Sequence, residues 1–215
     1  MSQPEPITVF HAPQSRSSAV VTLLEELGAP YELNVINMKA GEQREPAYLA
    51  INPLGKVPAI HHRGALITEQ VAIFIYLADL FPQAALAPAL DDPRRGPYLR
   101  WLVYYAACLE PGLVDRAMKR EPAPLAMSPY GDFDAVISTL ENQLRPGPYL
   151  FGDRLSAADI LWGNALKWTI AFGLIPDTDV FRAYVERITN RPAAVKVAAR
   201  DTQLAEEHAR IVAAK

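Results

Sequence analysis

The sequence predicts a small α/β domain in βαβ then ββα order, joined to an all-helical domain. Two observations carry this. Short β-rich runs alternate with helical spacing only up to Phe81-Pro82, and beyond residue 93 no convincing strand pattern recurs. Between them, residues 83–93 are rich in Ala, Pro and Asp and read as a linker. The expected division is therefore 1–82, a linker at 83–93, and 94–215 as the helical domain.

The elements follow in order. Ile7 to His11 is a short β-rich run, and Ala12-Pro13-Gln14-Ser15 is turn chemistry. Val20, Leu23, Leu24 and Leu27 recur at helical spacing, with Gly28 where a C-terminal cap belongs. Tyr31 to Met38 reads as a second strand. Glu45 to Ala50 forms a short helix that stops before Asn52-Pro53. Val57 to His61 and Ala65 to Ile67 make a hairpin around Arg63-Gly64. Glu69 to Leu80 is apolar nearly all the way round, which predicts a helix buried on two sides. The strand–helix–strand start implies a parallel pair, and the hairpin adds antiparallel strands.

In the helical part, Leu99, Leu102, Val103, Ala106 and Leu109 form one predicted face, and Phe133, Val136, Ile137, Leu140 and Leu144 another. Ser156-Ala157-Ala158-Asp159 fits a capping box, with Ser156 as N-cap and Asp159 reaching back. Val180, Tyr184, Val185 and Ile188 mark a further helix, closed by Asn190-Arg191-Pro192.

Composition limits the function classes. In 215 residues, 21 basic side chains face 24 acidic ones, a net charge of -3 with no basic cluster, so nucleic acid and membrane surfaces are not expected partners. No apolar run approaches the ~18 residues of a transmembrane helix. The start, Met1-Ser2-Gln3-Pro4-Glu5-Pro6, lacks a basic and then apolar leader pattern. Cys108 is the only cysteine, so no intrachain disulfide forms and a cytoplasmic protein is expected. Its apolar neighbours make it a packing residue. His61 and His62 are adjacent in a strand and point to opposite faces, so no metal site is expected.

Two stretches carry chemistry. Gly55-Lys56-Val57-Pro58-Ala59-Ile60 is a turn entering a strand at a proline. Such a proline is tolerated if its bond is cis or its edge is unpaired, which leaves the Val57 N–H and C=O for an extended ligand. Thr68-Glu69-Gln70-Val71-Ala72-Ile73 places a carboxylate beside the free N–H groups of a helix start. Together they suit a small peptide with an amino group and a carboxylate at one end.

These two stretches, taken as Asn52 to Ile60 and Thr68 to Ile73, resemble the cytosolic glutathione transferase family. So does Leu155-Ser156-Ala157-Ala158-Asp159-Ile160, the family's N-capping box. The likeness runs from about Ile7 to Pro192 and is greatest to the bacterial beta-type members. It implies a thioredoxin-like first domain with glutathione as co-substrate and no tightly bound cofactor. Val57 beside a cis Pro58 would pair with the cysteinyl part, Glu69 and Gln70 would hold the γ-glutamyl end, and Lys39 is a candidate for the glycyl carboxylate.

The chain departs from beta-type members where they carry a cysteine and a histidine, because those positions fall near Arg16 and at Glu110. The Ser15-Arg16-Ser17-Ser18 run instead resembles serine-using members. Ser15 is then the expected hydrogen-bond donor to the thiolate, with Ser17 its rival. The bland reading of these serines is helix capping. The implied activity is thiolate attack on a small hydrophobic electrophile bound by the helical domain, in a homodimer. The alternatives are a glutathione-dependent reductase or peroxidase and a non-catalytic glutathione-binding module.

Overall fold

A computed structural model describes residues 5–121 and 123–214, so most of the Met1 to Pro6 start read above lies outside the described residues. The chain divides into two compact units. The first comprises residues 1–84 and 191–215, the second residues 85–190. The C-terminal segment thus joins the N-terminal unit, whereas the sequence reading placed it in the helical domain.

The first unit is built on a four-stranded sheet of order β2-β1-β3-β4, with β1 Ile7–His11, β2 Tyr31–Val35, β3 Ala59–His62 and β4 Ala65–Ile67. β1 runs parallel to β2 and antiparallel to β3, and β3 and β4 form the hairpin. The predicted order and strand directions are therefore observed. Arg63 and Gly64 have φ of 51° and 76°, the positive pair that a two-residue hairpin turn of the right twist requires. Helix α1 (Ser17–Leu27) ends at Gly28 in the left-handed conformation. It buries Val20, Leu23 and Leu24 completely, alongside Ile7, Val9 and Ile60 of the sheet. After the short α2 (Pro46–Leu49) and β4, α3 (Gln70–Leu80) buries Ile73, Phe74, Leu77 and Ala78. One face of α3 is thus covered, not the two that its composition predicted, and Ala72 is exposed.

β2 is shorter than predicted. At Asn37 the chain leaves the strand, because the Asn37 side chain accepts a hydrogen bond from the Ala40 N–H and closes a 3-10 turn over Met38–Ala40. The last helix of the chain, α9 (Pro192–Ala213), was not predicted. It packs on α1 and is tied to it by ion pairs from Arg191 to Glu26 and from Lys196 to Glu25.

The second unit holds α4 (Arg95–Tyr104), α5 (Glu110–Ala117), α6 (Phe133–Leu144), α7 (Ala157–Ala171) and α8 (Asp179–Thr189). Between α4 and α5 a π-turn at Tyr105–Leu109 shifts the helical phase. The buried set is Tyr98, Trp101, Leu102, Tyr105 and Leu109, while Val103 is half exposed and Ala106 faces solvent, so the buried face is centred about one residue earlier than the one read from sequence. Cys108 lies in this turn and is only partly buried. Trp162 of α7 stands edge-on to Trp101 and Tyr105 and donates from Nε1 to the Trp101 carbonyl.

The predicted capping box is present. The Asp159 carboxylate accepts from the Ser156 N–H and hydroxyl, and its two oxygens also collect the Leu150 N–H and the Tyr184 hydroxyl. Four donors on one buried carboxylate make this cap the knot of α7 and α8 as well as a helix start.

Gly163 sets the spacing of α7 and α8, since an added Cβ would lie 2.5 Å from the Cβ of fully buried Ile188. Overpacking costs about 1–3 kcal/mol, against up to about 1 kcal/mol gained from replacing glycine in a helix. Gly163→Ala should therefore destabilise the protein in urea unfolding. An unchanged or raised midpoint would mean the helices are free to move apart.

Candidate functional site

Each sequence-predicted site residue lies in the first unit. The loop ahead of β3 is built by its own polar groups. Asn52, nearly fully buried, donates through Nδ2 to the Lys56 carbonyl at 2.9 Å and accepts from the Leu54 N–H. Tyr48 donates its hydroxyl to the same carbonyl at 2.6 Å. Gly55 has a φ of 58°, and an added Cβ there would meet the Gln43 carbonyl at 2.6 Å, so glycine is required on both counts. The Val57-Pro58 bond is cis, and Pro58 is buried. With Lys56 fastened, half-buried Val57 packs on the Phe10, Ile36, Tyr48 and Ala59 cluster. Among the described residues its backbone N–H and C=O find no hydrogen-bond partner.

Glu69 sits at the N-cap of α3 with φ of 62° and ψ of 113°, outside the small left-handed basin that other residues tolerate. Its side chain is exposed. The first intrahelical bond runs from the Ile73 N–H to the Glu69 carbonyl, and no Glu69 side-chain cap covers the N–H groups of Val71 and Ala72 ahead of it. The Gln70 amide donates to the Arg16 carbonyl at 2.9 Å, which ties the start of α3 to the start of α1. Lys39 lies exposed in the 3-10 turn after β2.

The serines divide clearly. Ser15 is half-buried in the β1–α1 turn, and its hydroxyl donates to the Ala12 carbonyl at 2.8 Å while its Oγ accepts from the Ser17 N–H at 3.2 Å. Ser17 is fully buried, with Oγ 2.9 Å from His11 Nδ1, 3.1 Å from the Ala12 N and 2.7 Å from Ser15 Oγ. Ser17 is thus enclosed by protein partners, while Ser15 stands between that cluster and solvent. Ser18 turns away and donates to Asp201 of α9.

Asp201, His11 and the Tyr48–Asn52 brace were missed by sequence reasoning. Asp201 is 4% exposed and accepts from His11 Nε2 at 3.1 Å, from the Gln14 N–H at 2.9 Å and from the Ser18 hydroxyl. Burial acts to raise its carboxyl pKa, but the hydrogen bonds from His11, Ser18 and Gln14 outweigh it and hold the carboxyl below its ordinary value. A signal did exist: Ala194, Val197, Asp201 and His208 share one helical face, and all four are buried. No cluster of His, Cys, Asp and Glu able to hold a metal occurs among the described residues. No helix among them is long and apolar enough to cross a membrane.

The sequence matches the family model described as "Glutathione S-transferase, N-terminal domain" over residues 5–79, and the corresponding C-terminal domain over residues 130–187. It is 30% identical to glutathione S-transferase F10 of Arabidopsis thaliana, over 90% of this chain and 97% of that one. It is 29% identical to the disulfide-bond oxidoreductase YfcG of Escherichia coli, over 87% and 92%. A crystal structure of a glutathione transferase homologue from Sulfitobacter, with glutathione bound, superposes with a TM-score of 0.75 at 25% identity, covering 91% of this chain and 98% of that one. The chain belongs to the glutathione S-transferase family.

Proposed function

We propose that the protein is a glutathione transferase that holds glutathione on the first unit and directs its thiolate at an electrophilic carbon. The Val57 N–H and C=O pair with the cysteinyl part. The Glu69 carboxylate takes the γ-glutamyl ammonium, and the Val71 and Ala72 N–H groups at the start of α3 take the neighbouring carboxylate. Gln70 helps to hold the same γ-glutamyl end, its side-chain amide tying the start of α3 to the Arg16 carbonyl. Lys39 faces the glycyl carboxylate. Ser15, rather than the enclosed Ser17, gives the hydrogen bond to sulfur. The helical unit supplies the apolar contacts for the electrophile, and the enzyme works as a cytoplasmic homodimer.

The observation that carries this reading is the backbone of Glu69. A non-glycine residue at φ 62° and ψ 113° costs about 1–3 kcal/mol and persists only where the surroundings enforce it. A mere dipole-complementing acid needs no such distortion, whereas a carboxylate aimed at a ligand over a helix start does. The likeness to YfcG favours a second reading, reduction of a disulfide by the same thiolate. Ser15 and Ser17 flank Arg16 where beta-type members carry cysteine, so a mixed disulfide on the protein has no partner there, which favours conjugation.

Four experiments test this. Glutathione should bind in calorimetry and should be conjugated to a general aryl halide; binding without turnover across electrophiles and disulfides would leave a binding module. Glu69→Gln keeps the backbone and removes the charge, so the Kd for glutathione should rise at least about tenfold with little change in stability. Glu69→Gly should weaken binding and also raise the urea midpoint, because about 1 kcal/mol of strain is released. Ser15→Ala should raise the pKa of the bound thiol, read from its ultraviolet thiolate absorbance; an unchanged titration would remove Ser15 from the mechanism.

A further inference from the structure

The second unit contains a cavity that the glutathione site described above does not use. It measures about 230 Å³ and lies between the segment that follows Ala84 and the loop ahead of α7. Leu86, Ala87, Pro88, Phe151 and Leu155 give it apolar walls, and Asp92, Arg94, Arg154 and Ser156 are its polar side chains. Apolar walls with a few placed polar groups are the usual make-up of a small-molecule site.

Both walls are braced. On one side the Ala157 N–H donates to the Leu86 carbonyl at 2.7 Å, and Arg95 Nη1 donates to the Pro88 carbonyl at 3.2 Å. On the other, the Leu150 N–H donates to Asp159 and the Gln143 amide donates to the Leu150 carbonyl at 2.6 Å. The Phe151 ring leans on fully buried Tyr98, with 6.4 Å between centroids. A ligand entering such a cavity has little chain to order.

The charges decide what it takes. Arg94 grips the Asp92 carboxylate through Nε at 3.0 Å and Nη2 at 2.6 Å, and its backbone N–H adds a bond at 2.8 Å. Those hydrogen bonds hold the Asp92 pKa at about 2, so at neutral pH this carboxylate is ionised and balances Arg94. The Ser156 hydroxyl is engaged by Asp159. Arg154 remains. It is exposed, its charge reaches Asp92, and among the described residues it enters no hydrogen bond or ion pair. The cavity therefore carries one unbalanced positive charge beside apolar walls. A guanidinium pairs bidentately with a carboxylate, and a second negative charge on the ligand would meet Asp92. Since an apolar cavity of about 150 Å³ accepts benzene, this one admits a single ring bearing a short acidic group.

We infer that this cavity is a binding site for a small aromatic monocarboxylate, held by Arg154 and separate from the glutathione site. Every lining residue belongs to the second unit, so the inference does not depend on the roles given above to Ser15 and Glu69.

The experiment titrates sodium benzoate onto the full chain and follows it by saturation-transfer NMR. Benzoate should saturate with a Kd near or below about 1 mM. Benzamide keeps the ring without the charge, and acetate keeps the charge without the ring; each should bind at least about tenfold more weakly, as should inorganic phosphate. Arg154→Gln should weaken benzoate at least about tenfold with an unchanged urea midpoint, and Arg154→Lys should restore only part of the loss. Ala89→Trp, at the exposed rim, should block the cavity and abolish binding. Saturating glutathione should leave the benzoate Kd unchanged. The inference is overturned if benzoate does not bind at millimolar concentration, or if Arg154→Gln and Ala89→Trp bind it as the parent does. It is also overturned if glutathione or an aryl halide competes with benzoate, which would make the cavity part of the substrate site.

Discussion

The buried carboxylate of Asp201 is the constraint on which the first unit turns. A single acidic group inside protein is unfavourable unless its oxygens are filled with donors. Here the donors come from the strand end at His11, from the Gln14 N–H in the turn, and from Ser18 on the first turn of α1. Three points on one short segment are therefore held by one side chain nearly two hundred residues away. Gln14 itself has a φ of 57°, a conformation that a free turn would relax. The β1–α1 turn is thus shaped from behind by α9, not only by its own sequence.

A similar economy governs the other side of the site. The Lys56 carbonyl takes both the Tyr48 hydroxyl and the Asn52 amide, so the loop is fixed one residue before Val57 and the backbone of Val57 is left unengaged. At Glu69 the distortion lies in the residue itself. On the proposed reading, strain there and rigidity at Lys56 serve one end: groups meant for a ligand are held where the unliganded chain would not choose to leave them. The Gln70 amide on the Arg16 carbonyl joins the starts of α1 and α3, so these two sets of groups do not drift independently.

How much of this was legible depends on whether the signal was periodic. β1, α1 and the hairpin could be read because their apolar residues keep one period and their turns end in Gly28 and Arg63-Gly64, where positive φ is needed. The strand limit at Asn37 could not, since apolar residues continue through Val35, Ile36 and Met38 and the chain is turned by a side-chain bond between Asn37 and Ala40. The face assigned to Val103 and Ala106 was displaced because the aromatic side chains of Tyr98, Trp101 and Tyr105, left out of the aliphatic pattern, are the ones that face the core. α9 escaped because its buried face includes Asp201 and His208, which by type belong on a solvated surface. Val57, Glu69 and Gln70 stood out in sequence because their motif is local. His11 and Asp201 did not, because their partnership exists only after folding.

The energetics set how much a hydroxyl at the sulfur would have to supply. Taking a thiol of pKa near ~8.5 down by about two units requires roughly 2.7 kcal/mol of preference for the thiolate. A helix N-terminus contributes about 0.3–1 kcal/mol, whereas a hydrogen bond to a charged acceptor contributes about 1.5–3 kcal/mol. On the proposed assignment the single proton of Ser15 carries the largest share, and it has a ready rival in the Ala12 carbonyl 2.8 Å away. A hydroxyl free to rotate would divide its time between the two acceptors and lose part of that share. The Ser17 N–H on Ser15 Oγ at 3.2 Å occupies one of its lone pairs, which narrows the orientations open to that proton before any ligand arrives.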